Sequence, residues 1–355
     1  MSTVITLVMA GGQGTRFWPE STSKKPKQYL SLVGEESLLK QTLDRFDGLV
    51  GKENRFIVTV TEQEKLALEA SGDSLGNDSL IFEPSGRNTA PCILLSLAHL
   101  LNNGYSEDDI VAIVPSDHVI LNQQGFRDTI KVASLAAAKD DAIVTIGITP
   151  NFPHTGFGYL HKGSEASTGI FHVAEFKEKP DANTAKEYVA SGEYLWNAGM
   201  FVSKISTLLR EFKECSPETF SFFEKLKETS GKEQAQIYQQ MPANSIDYAV
   251  MEKSKHVQVV PAIFDWNDLG SWDALESVIS PKEGNTLAAC RAHYIDNSKG
   301  NIVYAPEKHV TLIDVQDLII VSNEQSLVVM PKSKSQDVKL IVNAIKENKE
   351  LSDLL

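Results

Sequence analysis

Cysteine is scarce in this chain. Among 355 residues only Cys92, Cys215 and Cys290 carry a thiol, and they stand far apart with no C-x-x-C spacing, which excludes both a disulfide framework and a zinc knuckle. Long apolar runs are missing as well: nowhere do about 18 apolar residues follow one another, the length that a membrane-spanning helix needs. The opening "MSTVITLVMAGG" has no basic leader and no cleavage site, so the expectation is a cytoplasmic chain with no membrane attachment. Positive charge is in deficit. With a formal net charge of −13 and no extended lysine or arginine run, the surface repels a phosphate backbone, and nucleic acid is excluded as a partner. A small anionic nucleotide is not excluded, because a few cations and a metal ion concentrated at one place suffice to hold it.

What is present is ordinary globular material, 42% hydrophobic and 23% charged, in a length that suits one sizeable enzyme domain and a smaller appendage. Short β-branched runs ("VITLVMA", "RFIVTV", "IVAIVPSD", "AIVTIGI") alternate with helical periods ("SLLKQTLDRF", "APCILLSLAHLL", "FRDTIKVASLAAA"). This rhythm predicts an α/β fold whose mixed, mostly parallel sheet is covered on both faces, with ligands at the carboxyl ends of the strands. Beyond residue 285 the texture changes to the short strands "NIVYA", "HVTLI", "LIIVS" and "SLVVM", at the spacing of a β-meander or β-solenoid, followed by an amphipathic "SQDVKLIVNAIKENKEL" that reads as a closing helix. The expected division is a catalytic domain over 1–285 and a β-rich domain over 286–355.

The first strand runs into "MAGGQGTRFWP", where Gly11, Gly12 and Gly14 let the backbone approach a ligand and offer it N–H groups. A P-loop would need Lys-Ser/Thr after its last glycine, and a dinucleotide fingerprint would need glycine where Phe17 stands, so neither applies. The loop ends instead in Arg16. Shortly after it comes "KKPKQ", in which Lys27 offers a compact ammonium toward the same strand ends; read alone it is as compatible with a solvated lysine cluster. The strand "IVAIVPSDH" delivers Ser116, Asp117 and His118 to the sheet's carboxyl edge, where Asp117 is a magnesium-ligand candidate or a turn former. Far downstream, "WNDLGSWDAL" supplies a second carboxylate, Asp268. Between them "HTGFGYL", "FKEKPD" and "WNAGMF" contribute Gly158, Glu178, Lys179 and Asn197, a set able to grip a sugar's hydroxyls and a phosphate.

Taken together, "MAGGQGTRFWP", "KKPKQ", "EPSGRNTAP", "PSDH", "TGFGY", "FKEKPD", "WNAGMF", "SIDYAVMEK" and "WNDLGSW" occur in the order seen in bacterial mannose-1-phosphate guanylyltransferases, and the chain resembles that family over roughly its first 280 residues. The resemblance implies a Rossmann-like nucleotidyltransferase domain with a small C-terminal β-helix-like domain. It places Gly11, Gly12 and Gly14 with Asn88, Thr89 and Ser116 on the guanine nucleotide, and Arg16 and Lys27 on its phosphates. It gives Asp117 and Asp268 to a Mg2+ ion, Gly158, Glu178 and Asn197 to the mannose ring, and Lys179 to the sugar phosphate. GTP and mannose 1-phosphate are the implied partners, and a homodimer through the tail the implied assembly. Gln13 stands where serine is commoner, at a position that works through backbone. Many relatives continue into an isomerase-bearing domain, and its absence from this chain predicts no mannose-6-phosphate isomerase activity.

The implied chemistry is attack by a sugar phosphate on the α-phosphate of GTP with pyrophosphate leaving in line. The phosphate is already nucleophilic at neutral pH, so neither His118 nor His154 is needed as a general base. Two rivals stay open at this stage. A glycosyltransferase would show Asp-x-Asp at a strand end, whereas "PSDH" supplies one aspartate. A non-catalytic sugar-nucleotide-binding subunit would be expected to have lost some of Arg16, Lys27, Asp117 and Asp268.

Overall fold

In the computed structural model, which describes residues 2–12, 14–348 and 350–355, strand β1 (Val4–Met9) is an inner strand, third from one edge of a nine-stranded sheet. The strands β2 (Arg55–Val60), β3 (Leu80–Glu83), β4 (Ile110–Pro115) and β5 (Ile143–Ile148) follow in the chain. They are joined by β6 (Gly158–Ser167), β7 (Ile170–Glu178), β8 (Tyr194–Lys204) and β9 (Val257–Pro261), in the spatial order β3-β2-β1-β4-β8-β5-β9-β7-β6. β1 pairs parallel with β2 and β4, and β5 with β9, while β8 runs antiparallel between β4 and β5 and β7 antiparallel to β9. Only β7 and β8 are reversed, so the expected mixed sheet of mostly one direction is what forms.

The apolar runs are explained by burial on both faces. In β1, Ile5 and Leu7 enter one core with the helices Thr89–Asn102 and Ile205–Cys215, while Val8 and, just past the strand's end, Ala10 enter the other with the helix Gln123–Asp140. β4 does the same with Val111 and Ile113 against Ala112 and Val114. A strand that alternates between two apolar layers leaves little room for polar side chains, and in β1 Thr6 is the one polar residue, itself fully buried. Helix starts are set locally: Ser37 accepts from the Lys40 N–H, Asn122 from Gly125, and Asp181 from Asn183 and Thr184, each satisfying donors that the first turn leaves unpaired.

The C-terminal part is a coil of β10 (Thr286–Asp296), β11 (Ile302–Ile313) and β12 (Leu318–Ser322) in parallel, with β13 (Leu327–Pro331) antiparallel at its edge and the helix Val338–Glu347 after it. Parallel pairing across such short connections decides for a solenoid over a meander. Its corners are fixed by a buried asparagine ladder, in which Asn301 donates to Asn285 Oδ1 at 2.8 Å and accepts the Leu318 N–H at 3.0 Å. This module shares a core with the catalytic part: Phe17, Trp18, Leu30 and Leu38 pack with Trp272, Ile302, Tyr304, Val321 and Val338. Polar ties reinforce it, since Trp18 Nε1 donates to the Leu354 carbonyl at 3.0 Å and Asn323 Nδ2 to that of Pro19 at 3.0 Å. Among the described residues no helix is long and apolar enough to cross a membrane.

Candidate active site

The loop after β1 is shaped by what lies beneath it. Gly14 has φ 54°, and a Cβ there would sit 2.4 Å from the Lys27 Cβ, so only glycine fits. Gln28 Nε2 donates to the carbonyls of Ala10 at 2.8 Å and Gly12 at 3.1 Å, and Ser21 Oγ to that of Gly14 at 2.6 Å. In a trans peptide C=O and N–H point oppositely, so tying back the Ala10 carbonyl turns the Gly11 N–H toward the cavity. Gln13 lies outside the described residues.

Two cavities meet under this loop, with Asp117 lining both. The first, about 330 Å³, is walled by Gly11, Gly12, Glu83, Asn88, Thr89 and Ser116. It faces the N-terminus of the helix Thr89–Asn102, whose cap is Asn88. The second, about 360 Å³, is walled by Gly14, Arg16, Lys27, Asp117, His118 and Asp268. Gly14 therefore belongs with the second cavity, not with the remaining glycines of its loop.

Lys27 joins the distant segments. Its side chain, 6% exposed, donates to Asp117 Oδ2 at 2.9 Å and to the Asp268 carbonyl at 2.6 Å, and it packs on the Phe17 ring at 5.7 Å. Burial by itself would raise the Asp117 carboxyl; Lys27 and His118 overcome it, and the group ends below the usual carboxylate range, ionised. Asp268 is aimed by an Asx turn, with the Leu269 N–H donating to Asn267 Oδ1 at 2.7 Å and Leu269 held at φ 45°. A buried leucine in left-handed backbone is strained, and such strain collects at functional sites. Burial keeps His118 below its ordinary value. Its Nδ1 accepts from Trp266 Nε1 at 3.1 Å, which leaves Nε2 facing Asp117 Oδ1 at 4.0 Å.

A third group forms where β6, β7 and β8 begin or end. Register places Gly158 opposite Glu178, Tyr159 opposite Trp196, and Gly147 at the end of β5 opposite Asn197. A Cβ on Gly158 would lie 2.5 Å from Glu178 Oε2 and 3.4 Å from the Asn197 Cβ, so these three residues are in contact. Lys179 has φ 49° and ion-pairs with its neighbour Glu178 at 2.5 Å. It meets this group with its ammonium already engaged.

The sequence reading missed Gln28, which stands in "KKPKQ"; Glu83, which stands in "EPSGRNTAP"; and Asp247, which stands in "SIDYAVMEK". Glu83 lines the first cavity and is buried. It accepts from Tyr238 Oη at 2.5 Å, and burial raises its carboxyl. Motif membership was the signal available for all three, without a role attached.

Residues 5–283 match the family described as Nucleotidyl transferase, and residues 294–345 match the MannoseP isomerase/GMP-like beta-helix domain. The fold is that of a nucleotidyltransferase, and the chain is an enzyme of that class. The chain is 36% identical over 354 residues to the mannose-1-phosphate guanylyltransferase of Salmonella muenchen, a match covering 98% of this chain and 74% of that protein. It is 35% identical over 355 residues to the alginate biosynthesis protein AlgA of Pseudomonas aeruginosa, covering 96% and 71%. A solved structure from Thermus thermophilus, described as mannose-1-phosphate geranyltransferase, superposes with a TM-score of 0.89 at 31% identity, covering 97% of this chain and 99% of that one. The chain belongs to the mannose-1-phosphate guanylyltransferase family.

Proposed function

We propose that the enzyme transfers GMP from GTP to α-D-mannose 1-phosphate, giving GDP-mannose and pyrophosphate. The observation that carries this reading is the convergence on Lys27 of two aspartate segments, 90 and 241 residues away in sequence, at the junction of the two cavities. GTP would lie with its base in the first cavity and its phosphates toward Gly14, Arg16 and Lys27. Glu83 is the group we assign to base choice, since guanine presents two N–H donors on one edge and an anchored carboxylate accepts both. Gly158, Glu178 and Asn197 would take the mannose ring, with Lys179 reaching its phosphate by exchanging Glu178 for it.

In the reaction a phosphate oxygen of the sugar bonds to the α-phosphorus while the bridging oxygen to the β-phosphate departs with pyrophosphate. Two unit charges about 4 Å apart near a protein surface repel by about 4 kcal/mol, and several such pairs arise here. Arg16, Lys27 and Lys179 supply three cations against them. Asp117 is ionised and 35% exposed and Asp268 lines the same open cavity, so two hard oxygen donors with access to water suit a Mg2+ ion. Bound there, it would offset the charge that builds up on the phosphates. The chain's own part is to orient both substrates and neutralise them, with no proton to remove.

The division at 285/286, a cytoplasmic setting and a homodimer belong to the same proposal. The dimer is supported by the apolar edge of the C-terminal sheet, where Leu327 is 66% and Val329 56% exposed. Light scattering on the purified chain tests it. The reaction is tested by measuring pyrophosphate release for four nucleoside triphosphates crossed with mannose-, glucose- and fucose-1-phosphate, with and without magnesium. Turnover should peak for GTP with mannose 1-phosphate and require the metal. A higher kcat/KM for another pair would replace the name of the substrate, and no release with any pair would remove the reaction.

A further inference from the structure

The Asn197 amide is oriented by its surroundings. Its Oδ1 accepts from Thr145 Oγ1 at 3.0 Å and from the Gly199 N–H at 3.2 Å, so its amino group must point the other way, where it donates to Asp247 Oδ1 at 3.1 Å. The Thr145 hydroxyl has a single proton, which it shares with the Met200 carbonyl at 3.1 Å, so the Gly199 N–H is what fixes the amide; its oxygen is turned inward toward these donors, and one N–H is left for a ligand. A pyranose hydroxyl needs an acceptor as well, because it carries a proton of its own. Glu178 meets that need in part, but Lys179 already holds its Oε1 at 2.5 Å.

Asp247 stands at the right place to complete the pair. It opens a π-helical turn, Asp247–Met251, a distortion that recurs at functional sites. The residue before it, Ile246, lines the first cavity and is pinned there by its N–H to Thr89 Oγ1 at 2.8 Å. Two consecutive residues thus serve the nucleotide side and the sugar side. Burial, and next the charge of Glu178, push the Asp247 carboxyl up to about 6. The Ser245 hydroxyl, its own backbone and the charge of Lys179 only partly offset this, and a carboxylate held in such unfavourable surroundings beside the Asn197 amide is the pattern of a group kept for a ligand.

Resting on the sugar-phosphate reading above, we propose that Asp247 is a specificity-determining residue for the acceptor sugar. Its carboxylate accepts the proton of one pyranose hydroxyl whose oxygen receives the remaining N–H of Asn197. Glu178 then serves other hydroxyls, and discrimination among sugars at this position is a property of the Asp247–Asn197 pair.

The test uses the full chain with saturating GTP and magnesium, and measures pyrophosphate release with mannose 1-phosphate and its monodeoxy analogues for the wild type, Asp247→Asn and Asp247→Ala. The wild type should lose about 10- to 100-fold in kcat/KM with one analogue, the loss expected when a charged acceptor is left unpaired. Asp247→Ala should lose a similar factor with mannose 1-phosphate and no more with that analogue, while the KM for GTP moves by less than about twofold. Equal losses toward GTP and sugar, or a full additional loss with every analogue, would overturn the assignment. Should both variants fail to fold, the wild-type series decides: no analogue discriminated by more than about threefold also overturns it. A wild type that turns over no sugar 1-phosphate refutes the reaction itself, whereas normal turnover in both variants refutes Asp247 alone.

Discussion

Lys27→Ala is the most informative single change. The ammonium is lost from a point 2.9 Å from Asp117 Oδ2 and 2.6 Å from the Asp268 carbonyl, at a residue only 4% exposed. For catalysis this removes a preorganised cation from the phosphate path, a change worth about 100- to 1,000-fold in kcat. For stability, removing one partner of a fully buried pair costs about 3–5 kcal/mol. Asp117 is 35% exposed, water can solvate the orphaned carboxylate, and the expected loss is nearer about 1–2 kcal/mol, a drop of a few degrees in Tm. Lys27→Arg keeps the charge but not the fit, because a planar fork cannot reach both oxygens beneath Gly14; it should lose at least about tenfold. Pyrophosphate release with both substrates saturating, alongside thermal melts, separates the two effects. A kcat within about threefold of wild type in a folded Lys27→Ala, or a change confined to the KM for the sugar phosphate, refutes the reasoning.

Asp117→Asn and Asp268→Asn should each lower turnover by about a hundredfold or more and raise the magnesium concentration needed for half-maximal rate; an unchanged magnesium titration removes that residue from the metal site. In Gly158→Ala the new methyl meets Glu178 Oε2 at 2.5 Å, so steady-state kinetics should show a raised KM for mannose 1-phosphate and an unchanged one for GTP. Asp247 gives a pH signature. Its folded value of about 6 lies above the ordinary 3.8, so folding favours the protonated form: the destabilisation is absent below about pH 4, grows up to about 6 and is complete above it. Asp247→Asn should therefore gain stability relative to wild type at pH 7, by about 3 kcal/mol at most, and gain none at pH 4, as denaturant titrations at the two pH values would show. A fragment ending at residue 285 bares Phe17, Trp18 and Trp272, and should be aggregation-prone and inactive; a soluble, fully active fragment would contradict the shared core.

The first half of the large sheet was legible because β1, β2, β4 and β5 are apolar runs buried on both faces, whereas β6 and β7, half-exposed and rich in polar residues, carry no such run and were not read as strands. Gly11, Gly12, Asp117 and Asp268 stood out as candidates because each follows a strand or precedes a helix, but each motif alone is as compatible with a turn, and their candidate roles came from the order of the motifs taken together. Glu83 did not stand out: a glutamate ending a strand reads as surface charge until Tyr238, 155 residues on, covers it. Gln28 and Asp247 were hidden for the same reason, their partners being the Ala10 carbonyl and the Asn197 amide. The C-terminal strands were visible, but their parallel pairing was not, since the asparagine ladder that imposes it joins residues 16 and 17 apart with nothing unusual between them.

The bonds from Trp18 and Trp272 have a mechanical meaning. Trp18 donates through its indole to the Leu354 carbonyl and accepts at its own carbonyl from Trp272 at 3.1 Å, so the residue two beyond Arg16 is clamped between the C-terminal tail and the segment that follows Asp268. A substitution that displaces the Leu354 carbonyl therefore loosens the backbone two residues from Arg16, so the far end of the chain acts on the rim of the second cavity.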